Sequence, residues 1–378
     1  MLRLSHLPDE MGKFKYTCYL LFILSFISVL FYINRQAEDG HERYIYAKPQ
    51  DSSKPEMKPR LDTEENGRCE GKIHTNPMPP KLTLRQYARK KLVYDLCSTK
   101  TILDTRSKWQ TFDQIPKLEL YNLLVDDRHG IIYCYVPKVA CTAWKRIMIV
   151  LSESLKVHGV PYRVPADVPI EDVHGSSLQH LNEYPKVVMK QKLETYKKFI
   201  FVRDPFVRLI SAYRDKLESP NQIYYERIGM DILRTFGNVS NPPASVEKAH
   251  VDGIVPSFYN FIQYILSLSA FNDTVFDEHW RQTINLCHPC LINYDFIGKM
   301  ETIEEDAAQL LRILHVDNIV DFKPWVKSKT GPREIMTWFA NIPLEWRRKL
   351  YKVYEEDFRL FGYENHEHLD DLNLGNIT

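Results

Sequence analysis

The sequence predicts an α/β fold in which helices flank a parallel sheet. The prediction rests on short apolar runs that each lead into a helix-like stretch: 131–136 before 144–155, 198–202 before 205–216, and 293–298 before 303–314. Short buried strands that alternate with helices are typical of parallel sheets. Such sheets bind ligands where the carboxyl ends of the strands run into the helices. The loops after the first two runs are therefore the candidate sites.

The amino-terminal part of the chain contains a predicted membrane anchor. Residues from Tyr16 to Ile33 are almost wholly apolar and carry no charge. As a helix this run spans about 27 Å at about 1.5 Å per residue, enough for a thin bilayer. Basic residues precede it and no small-residue cleavage site follows, which favours an uncleaved signal anchor over a cleaved signal peptide. We expect a cytoplasmic tail, a transmembrane anchor, a polar lumenal stem and a lumenal globular domain, at residues 1–13, 14–33, 34–111 and 112–378.

Glycosylation motifs and cysteines agree with a lumenal chain. The predicted N-glycosylation sites are Asn238, Asn272 and Asn376, each in an Asn-x-Ser/Thr triplet. The six cysteines outside the predicted span would lie in an oxidising compartment, where they allow fifteen pairings. The Cys287-His-Pro-Cys290 motif is compatible with half a zinc site or a redox pair. No second motif of this kind follows, so we expect both cysteines to form disulfides with cysteines elsewhere.

Two further helices carry local signals of their own. Residues 81–97 have the apolar spacing of an amphipathic helix. Its basic side chains favour a solvated surface over a contact with a polyanion; they are Arg85, Arg89, Lys90 and Lys91. The helix after the third apolar run should start at Thr302, with Glu305 completing a capping box.

The loop after the first apolar run, residues 137–143, has the features of an anion site. It follows a buried strand, precedes a helix and carries Lys138 and Thr142. Backbone N–H groups at a helix start attract anions, and a lysine adds a positive charge. The loop has no glycine, so it is not the GxxxxGK[ST] loop of ATP and GTP enzymes. A phosphorylated ligand is expected here through a different loop.

The loop after the second apolar run supplies a second candidate phosphate contact. Asp204 is a good N-cap and Pro205 a good first helical residue. Arg203 therefore stands at a helix start, where a guanidinium can bind phosphate with two parallel hydrogen bonds. Ser211 follows two turns later and adds a hydroxyl. The alternative for Arg203 and Asp204 is a local ion pair that stiffens the turn. Two such loops favour a ligand with two phosphates.

Both loops closely resemble the nucleotide loops of Golgi carbohydrate sulfotransferases. The matching stretches are Tyr135-Val-Pro-Lys-Val-Ala-Cys-Thr142 and Phe201-Val-Arg-Asp-Pro-Phe-Val-Arg-Leu-Ile-Ser-Ala212. The family includes the chondroitin, dermatan, HNK-1 and GalNAc 4-O-sulfotransferases, and the resemblance covers roughly residues 125 to 365. Within the family the chain looks most like the chondroitin 4-O-sulfotransferases. The residues that support this choice are Pro161-Tyr-Arg163 and Val173-His174. The resemblance implies a parallel sheet like that of P-loop NTPases.

The resemblance also implies a donor and the residues that bind it. The donor in this family is 3′-phosphoadenosine 5′-phosphosulfate, and no metal is expected. The first loop would hold the 5′-phosphosulfate side through Pro137, Lys138, Val139, Ala140, Cys141, Thr142 and Ala143. The second would hold the 3′-phosphate through Arg203, Asp204, Pro205, Phe206, Val207, Arg208, Leu209, Ile210 and Ser211. Ala143 stands where the family often has Asn, so local hydrogen bonding should differ there.

Sulfuryl transfer needs a cation at the leaving group and a base for the acceptor hydroxyl. The implied cation is Lys138, as in the family's loop. His174 lies between the two loops and is the predicted base, because similar family members also carry Val-His at this place. A histidine accepts a proton near neutral pH without a large pKa shift. His180 and His279 are its competitors for the role.

The expected reaction is sulfation of the 4-hydroxyl of GalNAc in chondroitin at the Golgi membrane. The alternatives are the same transfer to dermatan or GalNAc-terminated glycans, and a membrane-anchored glycan-binding protein without catalysis. The formal net charge of +1 does not indicate a polyanionic partner, and no nucleic-acid partner is expected. Basic clusters at 186–198 and 347–349 are either an acceptor surface or ordinary solvated surface. Residues 327–331 are a further candidate nucleotide loop.

Overall fold

The computed structural model of the chain describes residues 80–98, 109–175, 177–269, 276–323, 330–331 and 333–365. They all belong to the compact unit Thr75–Thr378. The predicted anchor at 14–33, Asn272 and Asn376 lie outside the described residues. No helix in the described part of the chain has the length and apolar character needed to cross a membrane.

The main sheet of the described chain has five strands and mixed orientation. In spatial order the strands are β5 (Gln179–His180), β1 (Leu123–Asp126), β2 (Ile131–Cys134), β6 (Lys197–Val202) and β7 (Phe296–Lys299). The three predicted strands, β2, β6 and β7, are parallel neighbours, as expected. The prediction of a wholly parallel sheet is wrong, because β1 runs antiparallel to both β2 and β5. A separate two-stranded ribbon pairs β3 (Lys156–Val157) with β4 (Val160–Pro161).

A tight turn explains the antiparallel part of the sheet. Residues 127–130 connect β1 directly to β2, and Gly130 has a φ of 64°. A connection this short can join only antiparallel strands, since parallel strands need a long crossover. Glycine takes the left-handed conformation without steric cost. The buried run of β1 and this turn were not recognised from the sequence.

The predicted strand–helix units are all present, with shifted bounds. The helices are α1 (Pro80–Ser98), α2 (Cys141–Ser152), α3 (Ile170–Val173), α4 (Lys186–Thr195), α5 (Pro205–Tyr213), α6 (Gln222–Tyr224), α7 (Met230–Phe236), α8 (Val246–Val251), α9 (Phe258–Leu268), α10 (Thr283–Cys287), α11 (Ile303–Ile313), α12 (Arg333–Phe339) and α13 (Leu344–Leu360). Strand β2 leads into α2, β6 into α5 and β7 into α11. A wider helical turn, Arg214–Glu218, continues α5.

Aromatic packing fixes how the parallel strands meet the helices. Tyr133 of β2 stacks on Phe199 of β6 with ring centroids 4.7 Å apart, and Trp144 of α2 packs on Phe201 at 4.8 Å. All four side chains are buried. Gly298 of β7 leaves room for this layer, because a Cβ there would lie 2.2 Å from the Phe201 ring. A larger residue at 298 would push β7 away from β6.

Helix α1 covers the edge strand β7. The Gln86 side chain donates to the Ile297 carbonyl at 3.0 Å and accepts from the Ile297 N–H at 3.1 Å. The amide thus takes the place of a neighbouring strand and protects an otherwise open edge. Arg85 and Arg89 form ion pairs with Asp306, whose side chain is fully buried. The solvated surface predicted for these arginines is therefore wrong; they attach α1, which lies in the range assigned to the stem, to the folded unit.

The start of α11 differs from the predicted capping box. Thr302 does occupy the N-cap position, but its side chain makes no capping hydrogen bond. Its hydroxyl instead donates to Asp306 Oδ2 at 2.6 Å and accepts from Arg89 at 3.0 Å. Docking of α1 brings Arg89 to this position, so a tertiary contact replaces the local motif.

Two disulfides link distant parts of the described chain. Cys97 at the end of α1 pairs with Cys290, and Cys134 at the end of β2 pairs with Cys287. The prediction that both cysteines of the CxxC motif form disulfides elsewhere is confirmed. Cys141 is the free cysteine among the described residues. In this part of the chain no three His, Cys, Asp or Glu side chains are arranged to hold a metal; metal-free transfer stays a prediction.

Candidate active site

A pocket of about 410 Å³ lies where β2 and β6 end. Because these strands are parallel neighbours, the loops that follow them meet at the same edge of the sheet. The lining residues come from both loops, from α3 and from three further segments. They are Pro137, Lys138, Ala140, Cys141, Thr142, Ile170, His174, Arg203, Ser211, Asp215, Lys216, His279 and Met300.

The first loop presents backbone N–H groups next to a lysine. Lys138 and Ala140 both adopt left-handed conformations, with φ of 71° and 54°, and α2 begins at Cys141. Among the described residues, no acceptor bonds the N–H groups of Lys138, Ala140, Cys141 or Thr142. Unpaired N–H groups at a helix start, with a cation beside them, form an anion site. Val139 and Ala143 are buried and do not line the pocket.

Lys138 is held by a carboxylate at the pocket. Its Nζ lies 3.0 Å from Asp215 Oδ2, and Lys216 Nζ lies 3.1 Å from the same oxygen. Desolvation acts to raise the pKa of Asp215, but the two lysines outweigh it and hold that pKa below its usual value. Asp215 is therefore ionised, and the pocket contains one negative charge between two positive ones.

Arg203 joins the two loops. Its Nη1 donates to the Lys138 carbonyl at 3.0 Å, and its Nη2 donates to the Thr330 carbonyl at 2.5 Å. The side chain is buried yet borders the pocket. The rigid fork of a guanidinium suits several acceptors at once. Thr330 belongs to the predicted further nucleotide loop, of which 327–329 lie outside the described residues.

Helix α5 places only part of the predicted second loop at the pocket. Asp204 caps the helix by accepting from the N–H groups of Phe206 and Val207, as predicted, and Pro205 follows it. Ser211 lines the pocket. The other predicted binding residues of this loop do not line it, because α5 is buried on most of its surface; they are Asp204, Pro205, Phe206, Val207, Arg208, Leu209 and Ile210.

Arg208 has a different role from the predicted phosphate contact. Its buried guanidinium donates to the carbonyls of Pro137 at 3.0 Å, Glu278 at 2.8 Å and Arg281 at 2.6 Å. These bonds tie the first loop to the segment around His279. The bond to Pro137 is buried and the other two are partly buried, so the arginine satisfies carbonyls that would otherwise be costly to remove from water. Arg208 thus positions two walls of the pocket.

His174, the predicted base, lies at the pocket and is exposed on one side. It follows the last residue of α3, and no described residue hydrogen-bonds its ring. Partial desolvation lowers its pKa, and the charges of Lys145 and Lys216 lower it further. Lys145 Nζ lies 3.7 Å from the centre of the Tyr135 ring and forms a cation–π contact with it.

The two competing histidines differ in position. His180 does not line the pocket; its Nδ1 lies 2.6 Å from the Tyr121 carbonyl, and its ring stacks on Tyr121. His279 does line the pocket, and its Nδ1 lies 2.7 Å from Asp277 Oδ1. Sequence reasoning missed Asp277, Asp215 and Lys216. An acid two residues before His279 and a charged pair just beyond Ser211 were the available signals.

The basic clusters lie away from the pocket or are already paired. Lys190, Lys192 and Lys198 form ion pairs with Asp113, Asp127 and Asp295. Lys197 begins β6, which places its Cα about 17 Å from that of Val202 at the carboxyl end of the strand, at about 3.3 Å per residue. Arg347 is buried and Lys349 pairs with Glu345. A contact between these clusters and the acceptor stays a prediction.

One predicted glycosylation site can be located. Asn238 is exposed after α7, with a φ of 55°. The exposed side chain is sterically accessible, as a glycosylated asparagine must be. Glycosylation at Asn238 stays a prediction, as it does at Asn272 and Asn376.

Comparison with known proteins agrees with this geometry. Residues 121–364 match the model of the sulfotransferase family. Carbohydrate sulfotransferase 12 of Mus musculus is 49% identical over 315 residues, which cover 81% of this chain and 75% of the relative. The Xenopus laevis protein of the same name is 51% identical over 267 residues, covering 68% and 63%. Carbohydrate sulfotransferase 11 of Rattus norvegicus is 37% identical over 278 residues, covering 73% and 75%. No solved structure matches the chain. With its pocket at the carboxyl ends of β2 and β6, the chain belongs to the sulfotransferase family, among the carbohydrate sulfotransferases.

Proposed function

We propose that this protein transfers the sulfuryl group of 3′-phosphoadenosine 5′-phosphosulfate to the 4-hydroxyl of GalNAc in chondroitin. The observation that carries the proposal is the convergence of Lys138, the unpaired N–H groups of 140–142, Arg203 and Ser211 on one pocket. Family membership implies this donor. The relatives' names support a carbohydrate acceptor. The choice of chondroitin rests on sequence resemblance, in particular to the second of the chondroitin 4-O-sulfotransferases.

The pocket fits the two ends of such a donor. The N–H groups at the start of α2 and the Thr142 hydroxyl suit the 5′-phosphate, since they are donors next to a helix start. Arg203 and Ser211 stand at the second loop and suit the 3′-phosphate. Lys138 lines the same pocket, where it stabilises the negative charge that forms on the leaving phosphate oxygen. Sulfuryl transfer resembles phosphoryl transfer, in which positioning and charge stabilisation supply most of the rate.

Location in the Golgi membrane, with the catalytic domain in the lumen, is part of the proposal. The apolar run at 14–33 supports an anchor, and two disulfides support an oxidising compartment. Protease treatment of intact Golgi vesicles should leave the 112–378 domain protected, and detergent should expose it. Digestion without detergent would contradict the lumenal orientation.

A transfer assay tests the activity and separates the acceptors. Purified protein is given the ³⁵S-labelled donor with desulfated chondroitin, dermatan or GalNAc-terminated oligosaccharides, with the Lys138→Ala variant as control. Disaccharide analysis of the product then locates the sulfate. We expect label on the 4-position of GalNAc from chondroitin. Preference for dermatan or terminal GalNAc would change the acceptor, and no transfer by the folded protein to any of them would favour a glycan-binding protein without catalysis.

A further inference from the structure

We propose that His279, oriented by Asp277, is the catalytic base that takes the proton of the acceptor hydroxyl. The inference rests on the proposed function and assigns a residue within it. In the step, the acceptor oxygen forms a bond to sulfur while the bond from sulfur to the donor phosphate oxygen breaks. The proton of the hydroxyl goes to His279 Nε2, and the electron pair of the broken bond stays on the leaving phosphate oxygen beside Lys138.

The first support is the fixed orientation of the His279 ring. Asp277 Oδ1 lies 2.7 Å from His279 Nδ1 and also accepts the His279 backbone N–H at 2.9 Å. The Tyr224 hydroxyl lies 2.9 Å from the same Nδ1 and 3.2 Å from Asp277 Oδ2. Because an ionised carboxylate can only accept, we assign the Nδ1 proton to the bond with Asp277 Oδ1 and the Tyr224 proton to Asp277 Oδ2. Nε2 then carries the lone pair that a base needs. The same arrangement of carboxylate and imidazole orients the base in Ser-His-Asp enzymes.

The second support is the state of Asp277. Burial acts to raise its pKa, but the hydrogen bonds from His279 outweigh burial and hold the pKa below its usual value. Tyr224 lies 3.2 Å from Asp277 Oδ2 and donates its hydroxyl to it, and Arg227 forms an ion pair with the same oxygen at 3.2 Å. Asp277 therefore stays ionised and stabilises the positive charge that His279 gains on accepting a proton.

The third support is the coupling of His279 to the donor loop. Arg208 bonds the carbonyls of both Pro137 and Glu278. Pro137 precedes Lys138 and Glu278 precedes His279, so one buried guanidinium sets the separation of the cation and the base. The distance between the cation and the base affects the rate of transfer, because reacting groups must be held close and aligned.

His174 lacks these features. No described residue hydrogen-bonds its ring, so neither its tautomer nor its orientation is fixed. Desolvation and the charges of Lys145 and Lys216 lower the pKa of His174, and the charge of Glu278 offsets them only in part. A base flanked by cations gains a proton less readily than one flanked by a carboxylate. The geometry thus favours His279 over the histidine that the sequence predicted.

The test uses His279→Gln, Asp277→Asn and His174→Gln in the intact protein. We expect His279→Gln to lower kcat by about 10²- to 10⁴-fold. Binding of adenosine 3′,5′-bisphosphate, measured by calorimetry, should change less than twofold. Imidazole added to the buffer should restore part of the turnover of His279→Gln. Asp277→Asn should lower kcat and shift the pH–rate profile, as expected of a positioning residue. His174→Gln should keep turnover within tenfold of the unchanged protein.

His129→Gln is the matched control. His129 is also held by a carboxylate, with Nδ1 2.7 Å from Asp126 Oδ2, but it lies in the turn between β1 and β2. Its replacement should leave kcat unchanged. Other titratable or charged groups around His279 also contribute to the pH–rate profile. They are Asp277, Glu278, Tyr224, Lys216, Asp215, Arg227 and His174.

Several outcomes would overturn the assignment. Turnover of folded His279→Gln within threefold of the unchanged protein would do so, as would loss of turnover in His174→Gln with His279→Gln active. Equal loss in His279→Gln and His129→Gln would point to a purely structural effect. If the unchanged protein transferred sulfate to none of the acceptors, the proposed function would be overturned. The assignment of His279 as the base would then fall as well.

Discussion

Lys138 and Lys216 share one carboxylate oxygen, Asp215 Oδ2, at distances of 3.0 and 3.1 Å. The carboxylate neutralises part of the positive charge at the first loop. An anionic donor that binds there must compete with Asp215 for Lys138. The ion pair is partly exposed, so its contribution is modest. The relationship nevertheless predicts that Asp215 reduces donor affinity.

Asp215→Asn should strengthen binding of adenosine 3′,5′-bisphosphate about two- to fivefold, corresponding to about 0.5–1 kcal/mol. The amide keeps the shape of the side chain and removes the competing charge. Calorimetry at low and high salt measures the change, which should shrink at high salt. Asp231→Asn, at an exposed pair with Arg234, is the control. Weaker binding in Asp215→Asn would show instead that the carboxylate orients Lys138.

Lys138→Ala should lower kcat about 10²- to 10³-fold with less effect on the affinity for the donor product. Charge on the leaving oxygen develops mainly in the transition state, so loss of the cation affects kcat more than binding. Steady-state kinetics and calorimetry separate the two quantities. Lys216→Ala is a comparison variant, because Lys216 shares Asp215 but does not belong to the first loop. An unchanged kcat in Lys138→Ala would remove the lysine from the reaction.

Arg208→Met should lower the free energy of unfolding by about 3 kcal/mol, because the three carbonyls bonded by its buried guanidinium lose their donor. It should also lower kcat, since the first loop and the His279 segment lose their common link. Chemical denaturation and transfer assays measure the two effects. Arg234→Met, at an exposed helix position, should change neither. A variant with lowered stability and full kcat would show that Arg208 does not position the site.

Cys97→Ser with Cys290→Ser should lower the free energy of unfolding by about 3–5 kcal/mol. The disulfide closes a loop with a sequence separation of 193, and long loops gain the most from a crosslink in the chain-entropy model. The activity of the folded variant should persist, because Arg85, Arg89 and Gln86 still attach α1. Cys141→Ser is the control, since Cys141 is not in a disulfide. If the unchanged protein, the double cysteine variant and Cys141→Ser were equally stable, the Cys97–Cys290 disulfide would have no structural role.

His288 should make the protein less stable in acid. Burial of the ring, which packs edge-on against Trp109, lowers its pKa from 6.5 to about 4, although the hydrogen bond with the Glu119 carbonyl acts to raise it. Between those values the unfolded chain binds a proton that the folded chain does not, so stability falls as pH drops from about 6.5 to 4. The loss approaches about 3 kcal/mol. Denaturation at several pH values should show a shallower slope in His288→Gln; an identical slope would exclude His288 as a source.

Local sequence signals succeeded where the physics is local. The buried parallel strands β2, β6 and β7 form continuous apolar runs. Asp204 and Pro205 begin α5 as predicted, because a cap depends only on the neighbouring backbone. The Thr302 capping box failed because Arg89, far away in the chain, competes for the threonine hydroxyl.

The sequence by itself determined the strand–helix units, the two loops that reach the pocket, the sulfotransferase resemblance and the pairing of Cys287 and Cys290 with distant cysteines. Tertiary structure decided the mixed sheet, the cysteine partners, the burial of Arg208, and the partners of Lys138 and His279. The physical reason is distance along the chain. Apolar runs and caps depend on adjacent residues, whereas Asp215 reaches Lys138, and Arg208 links Pro137 to Glu278, only after the parallel strands have paired.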